Sequence, residues 1–108
     1  MKTLRNPNRR PTHPGAVLRE DVLPALSMTQ TEFATLLGVS RLSVSELLHE
    51  KRALSPEMSV RIATLLNNTP ESWLRMQEAL DLWEVQQKPG KLSGVRALPK
   101  SRLAGVAA

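Results

Sequence analysis

The chain has 108 residues, of which 41% are hydrophobic, and it carries a formal net charge of +5 at neutral pH. This length is typical of one domain with a small core. The absence of cysteine excludes disulfide frameworks and thiolate metal sites. No apolar run approaches the ~20 residues that cross a bilayer, and the N-terminal segment lacks the apolar stretch of a signal peptide. The sequence therefore predicts a cytoplasmic protein that does not bind membranes.

The positive charge is concentrated at the two ends of the chain. Residues 1–14 contain four basic residues and no acidic one, and residues 88–108 contain five basic residues and no acidic one. Residues 15–87 contain six basic and ten acidic residues, a net charge of −4. The overall charge is therefore weak support for DNA binding by the middle of the chain. The two ends either contact phosphates or are ordinary solvated termini.

Composition divides the chain into three segments. Residues 1–12 hold Pro7 and Pro11 among polar and basic residues, which predicts a flexible basic arm. Residues 13–87 hold the periodic apolar residues of a folded domain, which the motifs below assign to DNA binding and dimerisation. Residues 88–108 lack a clear period and are expected to form a disordered basic tail.

Five helices and no strand are predicted, so the expected fold class is all-α. Thr29 and Glu32 have the spacing of a capping box, and Ser55 and Thr69 each precede a proline that can occupy the first helical position. A Lys-Pro-Gly sequence at 88–90 ends the last helix. The expected helices cover, in chain order, about 13–24, 29–37, 40–49, 55–66 and 71–87.

The stretch 30–47 has the spacing of two short helices that cross at a tight turn. Ala34 is small where the second helix passes closest, Gly38 can adopt the left-handed conformation that ends the first helix, and Ser40 can cap the second. Such a unit holds one helix in a DNA groove; the alternative is an ordinary helical hairpin. The side chains expected to point inward are Phe33, Leu36, Leu37, Val39, Val44 and Leu47.

The exposed face of the second of these helices supplies candidate DNA contacts. Because the N-terminus of a recognition helix meets base edges, Arg41 is the best candidate for a bidentate contact to guanine. Leu42 either meets a thymine methyl group or makes a satellite core contact. The other polar and basic residues expected at this surface can contact either bases or phosphates. The expected DNA-binding residues are Gln30, Ser40, Arg41, Leu42, Ser43, Ser45, Lys51 and Arg52.

Glu46 lies on the same exposed face, although phosphates repel a carboxylate. It can read a cytosine amino group, pair with Arg41 or another cation, or lie outside the interface. We favour the last of these alternatives.

The fifth predicted helix carries two apolar stripes. The stripe that can cover the core consists of Trp73, Met76, Leu80 and Trp83. The outer stripe consists of Leu74, Leu82 and Val85. It is covered either by the tail or the first helix, or by a second copy of the chain. A homodimer is the economical interpretation, because a two-fold protein matches a palindromic operator with half-sites about one DNA turn apart.

Several short motifs lie between His13 and Trp83. They are His13-Pro14-Gly15-Ala16-Val17-Leu18-Arg19-Glu20-Asp21, Phe33-Ala34, Leu37-Gly38-Val39-Ser40-Arg41, Lys51-Arg52, Arg61-Ile62-Ala63, and Ser72-Trp73-Leu74 followed by Gln77, Leu80, Asp81 and Leu82. Over about two thirds of the chain, they resemble the HigA-type antitoxins of bacterial toxin–antitoxin modules, a branch of the XRE class of helix-turn-helix proteins that includes phage repressors. The opening His-Pro-Gly and the late Trp-Leu with glutamine are the more restrictive motifs.

The resemblance implies a phage-repressor-like five-helix bundle that dimerises, binds a palindromic operator in its own promoter and represses transcription. It also implies that the protein neutralises a HigB-like toxin, a ribosome-dependent, mRNA-cleaving endoribonuclease encoded beside it. Two acidic surfaces, on the first and fifth helices, suit such a basic partner. Their residues are Glu20, Asp21, Glu78, Asp81 and Glu84. The resemblance does not extend to the basic tail, so it implies no role for that segment.

Three other classes of function remain to be weighed. The first is a stand-alone phage-type repressor, which would have no toxin. The genome neighbourhood distinguishes the two classes, because a small basic open reading frame directly upstream would favour the antitoxin. A protein-interaction module that has lost DNA binding is disfavoured by exposed Arg41 and the Lys51-Arg52 pair. An enzyme is not expected, because His13 and His49 are the only histidines and no catalytic constellation is apparent. No cofactor and no metal site are predicted.

Overall fold

The computed structural model describes residues 8–106. Helix α1 has three consecutive parts, Pro14–Val17, a π-helical turn Leu18–Val22, and Leu23–Leu26. The helices that follow are α2 (Gln30–Leu37), α3 (Arg41–Leu48), α4 (Pro56–Leu66) and α5 (Pro70–Gln86), and two single-turn 3₁₀ helices, Pro89–Leu92 and Lys100–Leu103, lie beyond them. Residues 8–106 contain no strand, so the predicted all-α class is confirmed. The predicted arm and tail boundaries stay predictions, and the first seven and last two residues lie outside the described part.

The predicted helix starts are confirmed because their cause is local. A serine or threonine hydroxyl accepts a hydrogen bond from the backbone N–H three residues on, which satisfies one of the donors that a helix start leaves unpaired. These oxygen–nitrogen distances are 3.1 Å at Thr29, Ser40 and Ser55, and 3.3 Å at Thr69. The prolines at the first position of α4 and α5 follow two of these caps.

Helix α1 contains a proline without breaking. Pro24 has no N–H to offer the carbonyl of Glu20, and its ring would crowd that carbonyl in a regular α-helix. The turn directly before it widens to the π form, with the Leu23 N–H bonded to the Leu18 carbonyl. The helix then ends at Ser27, whose φ of 52° is left-handed.

The core is formed where α3 packs against α1 and α2, with α4 and α5 completing the bundle. Helix α1 packs against α3 and α5, α2 packs against α3 and α4, and α4 packs against α5. The inner face of α3, formed by Val44, Leu47 and Leu48, is fully buried. Burying a side chain of this type stabilises the fold by roughly 1.5–3 kcal/mol. With that face fixed, the rotation of α3 about its own axis is fixed, and so is the outer face that it presents.

One expected core residue is exposed. Leu36 has 52% of its surface accessible, whereas Phe33, Ala34 and Leu37 are buried. At about 100° per residue, the three buried positions share one side of α2, and Leu36 lies past the edge of that side. The prediction that Leu36 points inward is therefore wrong, because an apolar residue beside a buried stripe has the same spacing as a member of it.

Gly15 lies where the start of α1 crosses α3. A Cβ atom at this position would be 1.8 Å from the carbonyl oxygen of Leu47 and 2.8 Å from its carbonyl carbon. These are backbone atoms of a buried helix, so they cannot move aside as a flexible side chain would. The close approach of the two backbones therefore requires glycine.

Replacing Gly15 by alanine should destabilise the fold by about 3 kcal/mol or more, because the added methyl group must push α1 away from α3. The midpoint of urea unfolding measures this effect. Gly90→Ala is the matched control, since no atom lies within 4 Å of the Cβ that it would add. Its midpoint should be close to that of the wild type. If the two variants had equal midpoints, the required close approach would be refuted.

His13 caps the start of α1. Its Nδ1 atom accepts a hydrogen bond from the Gly15 N–H at 2.9 Å, and only 4% of the residue is exposed. Burial lowers the pKa of His13 below its ordinary value of 6.5, and this outweighs the opposing effect of nearby Glu50. The structure therefore holds this histidine neutral, with Nδ1 free of a proton.

Protonation of His13 should weaken the fold. A base with a lowered pKa in the folded state contributes stability that is complete above pH 6.5 and is lost as the pH falls through the folded-state pKa. His13→Asn keeps a capping acceptor without a titrating group. The free energy of unfolding, measured from pH 8 to pH 5, should fall less steeply for this variant. A slope equal to that of the wild type would contradict the assignment.

Candidate nucleic-acid interface

The N-terminus of α3 presents a polar and basic surface to solvent. Arg41 and Leu42, the first two residues of the helix, are both exposed, and Leu42 has 67% of its surface accessible. That exposure excludes a core contact for Leu42, one of its two expected roles. Ser40 accepts the Ser43 N–H and donates its own proton to the Ser43 hydroxyl at 2.9 Å. The two serines therefore fix the start of the helix, beside the residues that a ligand would meet first.

Two cations of this surface keep their charge available. Arg41 and Lys51 are exposed, and neither has an ion pair within residues 8–106. Ser45 lies one turn after Arg41 on the same side of α3, where it is half-buried and its backbone carbonyl contacts Nδ1 of His49 at 2.8 Å. Gln30 is half-buried at the first position of α2. The predicted residues are thus arranged around both helices of the motif.

Glu46 and Arg52 form the ion pair of this surface. The Arg52 Nη2 and Glu46 Oε1 atoms are 2.7 Å apart, and their side chains are 45% and 35% exposed. Of the three roles considered for Glu46, pairing with another cation is the one present in the structure. The same ion pair engages the guanidinium of Arg52, which was predicted to contact a phosphate. The positive charge that Arg52 offers to solvent is correspondingly smaller than that of Lys51.

The C-terminus of α3 is held by charged residues that sequence reasoning missed. Nη1 of Arg19, on α1, donates to the carbonyl of Leu48 and lies 3.4 Å from Glu50 Oε2. Glu50 also meets Arg10 at 3.3 Å and has a left-handed φ of 62°. A cation near the end of a helix satisfies its unpaired carbonyls and favours its dipole. Arg19 and Glu50 therefore fix the second end of α3.

The turn between α2 and α3 has the predicted form. Gly38 has a φ of 73°, and the next residue, Val39, donates its N–H to the Ala34 carbonyl at 3.1 Å. Arg61 of α4 donates to the Leu37 carbonyl at 2.9 Å. The turn is therefore closed by its own glycine and by a cation from a neighbouring helix, which sets the angle between α2 and α3.

Gln77 joins the loop after α3 to helix α5. Only 6% of it is exposed; its Oε1 accepts the Leu54 N–H at 2.9 Å and its Nε2 donates to Asp81 at 2.9 Å. The resemblance pointed to this glutamine but gave it no role. A glutamine among the apolar residues of a helix is a usable signal of such a bond, because a buried amide must be paired.

The outer side of α5 is apolar and exposed. Leu82 and Val85 have 54% and 42% of their surfaces accessible, and Leu74 is half-buried. Leu82 borders two grooves: one contains Leu74, Val85 and Leu54, and the other contains Trp83 and Pro11. Of the inner stripe, Trp73 and Leu80 are buried and Met76 packs against the core, whereas Trp83 is half-buried and lines the second groove.

Metal sites and membrane spans are both absent from the described residues. Between residues 8 and 106, no group of three histidine, aspartate or glutamate side chains is placed to hold a metal ion. Over the same range, no helix has the length and apolar character needed to span a membrane.

Comparison with known proteins identifies the family. Residues 18–74 match the helix-turn-helix family. The HTH-type transcriptional regulator YbaQ of Escherichia coli K12 is 41% identical over 77% of this chain and 74% of its own length. Antitoxin HigA-1 of Vibrio cholerae is 34% identical over 79% of this chain and 80% of its own length.

A solved structure extends the likeness to the fold. Antitoxin GraA in complex with its operator superposes with a TM-score of 0.77 at 34% identity, covering 90% of this chain and 99% of that one. The family match at residues 18–74 includes both helices of the motif, α2 and α3, and the whole of α4. The chain therefore belongs to the XRE-type helix-turn-helix family, in its branch of DNA-binding HigA-type antitoxins.

Proposed function

We propose that this protein binds an operator in its own promoter as a homodimer, represses transcription, and neutralises a HigB-like toxin. The observation that carries the DNA half is the exposed, capped N-terminus of α3, with Arg41 and Leu42 outward and the opposite face fully buried. A helix held in this way can enter the major groove with its N-terminal residues against base edges. The related antitoxin GraA has been solved with its operator.

Within the groove, each candidate has a role that suits its chemistry. Arg41 donates two hydrogen bonds to O6 and N7 of a guanine, and Leu42 meets a thymine methyl group. Lys51 and Gln30 contact phosphates on either side and set the register of the helix. Ser40, Ser43 and Ser45 add shorter contacts near the same bases. Arg52 reaches a phosphate only when that contact replaces its bond to Glu46.

The outer side of α5 is proposed as the dimer seam. A two-fold interface places the same patch of each copy against the other, so the patch must complement itself. Leu82 projects between two grooves, and therefore Leu82 of each copy can fill a groove of its partner. Leu74 and Val85 lie in one of these grooves and close the seam around it.

The toxin is proposed to bind the acidic side of α1. Glu78 and Asp81 line the groove assigned to the dimer seam, so they are covered when two copies meet. Glu20 and Asp21 are exposed on α1, outside that seam. A basic ribonuclease would meet complementary charge there.

Arg41→Ala should remove discrimination at one base position at a cost of ~1–3 kcal/mol. The measurement is the dissociation constant for an operator duplex and for a scrambled duplex, each over a series of salt concentrations. Lys51→Ala is the comparison: it should weaken both duplexes alike and reduce the salt slope by about one. Equal weakening of both duplexes by Arg41→Ala would make Arg41 a phosphate contact instead.

Replacing Leu82 and Val85 by glutamate should convert the dimer to a monomer, because the seam loses its apolar contacts and gains four carboxylates beside Glu78 and Asp81, which already line it. Sedimentation velocity measures the state. Val60→Glu is the control, since Val60 is 52% exposed on α4, away from the grooves. It should leave the dimer intact. A dimer that survives both glutamates would reject this seam.

The proposed neutralisation of a toxin is tested by measuring the growth of a bacterial host. A host that expresses the small open reading frame beside this gene should stop growing and should recover when this chain is supplied. Asp21→Lys should lose the rescue while retaining operator binding, whereas Glu71→Lys, at another exposed acid, should retain both. A harmless neighbour, or toxicity that this chain does not relieve, would favour a stand-alone phage-type repressor.

A further inference from the structure

The C-terminal segment 88–106 is the most strongly charged surface that the site leaves unexplained. Every residue of it is exposed, and it contains no acidic residue. Its cations are Lys88, Lys91, Arg96, Lys100 and Arg102. A segment of this composition has nothing of its own to neutralise it, so it attracts an anionic partner.

The folded domain lacks the charge that DNA binding needs. Residues 15–87 carry a net charge of −4, and three of their six cations, Arg19, Arg52 and Arg61, already pair with carboxylates. DNA is a dense polyanion, and the affinity that does not depend on sequence comes mainly from cations that displace its counterions. The domain by itself therefore supplies base contacts but repels the duplex at long range.

The cations of the tail do not neutralise the acidic residues of the domain. No ion pair joins any of its five cations to a carboxylate within residues 8–106, although α5, which leads into it, carries Glu78, Asp81 and Glu84. The tail also has the reach for DNA. Nineteen residues at ~3.3 Å each span up to about 60 Å when extended, which is longer than either of the two shorter axes of the described chain, 31 and 28 Å.

We infer that residues 88–106 bind the sugar–phosphate backbone of the DNA beside the operator. This inference rests on the proposed operator binding and adds the part of the interface that supplies affinity without sequence discrimination. Base reading and charge neutralisation are then divided between α3 and the tail. The tail also holds exposed apolar residues, which a protein surface would favour more than DNA would; they are Leu92, Val95, Leu98, Leu103 and Val106.

Two full-length variants separate these partners. In the first, all five tail cations are replaced by glutamine; in the second, the five apolar tail residues are replaced by serine and the charges are kept. Dissociation constants for the operator duplex and the scrambled duplex are measured from 50 to 300 mM salt. The glutamine variant should bind both duplexes more weakly by the same factor. Its slope of log K against log salt should fall by about 0.9 for each lost phosphate contact, up to about 4.5 per protomer. The serine variant should behave as the wild type.

An unchanged salt slope in the glutamine variant would overturn the inference. So would weakened DNA binding by the serine variant alone, because the apolar residues of the tail, and not its cations, would then supply its contribution. The failure of operator binding is recognised separately: the wild type would then bind the operator and the scrambled duplex equally, whatever the tail variants do. A wild type that discriminates, with a glutamine variant of unchanged slope, would leave the proposed function intact and remove only the tail contact.

Discussion

The contact on which the rest of the structure depends is the close crossing of α1 and α3. Gly15 lets the start of α1 lie directly on the Leu47 carbonyl, and one turn later Arg19 reaches the Leu48 carbonyl at the end of α3. His13 caps the helix that makes both contacts. Helix α3 is therefore held by backbone approach and by charge at one end, and by the Gly38 turn and the Ser40 cap at the other. Since its inner face is also buried, α3 has one orientation, and the surface proposed to meet DNA is held in place by the fold itself.

This rigidity has a thermodynamic consequence for recognition. A helix that is already ordered loses little conformational entropy when it binds, so its contacts contribute more of their free energy to affinity. The electrostatics are arranged differently. Within the domain, several cations serve carbonyls and carboxylates of the fold, as Arg19, Arg52 and Arg61 do, and the excess positive charge lies at the chain ends. The proposed division between a rigid reading helix and a basic tail follows from this distribution.

Sequence reasoning predicted the features whose causes lie within a few residues. The caps at Thr29, Ser40, Ser55 and Thr69 and the left-handed Gly38 are of this kind, and all are confirmed. The contacts of Arg19 and Gln77 join residues 29 and 23 positions apart, and no local pattern specifies such partners.

Other features were ambiguous for physical reasons. Leu36 was misplaced because periodicity does not define the edge of a buried stripe sharply. For Glu46, the sequence offered several partners, and only the course of the chain after α3 brings Arg52 to it. The DNA-binding and dimer residues stay predictions, since they concern a partner rather than the folded chain.

Dimethyl sulfate protection of the protein's own promoter measures directly whether α3 lies in the major groove. Guanine N7 lies in the major groove, where α3 is proposed to bind. If a dimer binds in this way, two clusters of protected guanines are expected, with centres about 10–10.5 base pairs apart, one for each recognition helix. A promoter without protected guanines, or protection confined to adenine N3 in the minor groove, would contradict this placement of α3.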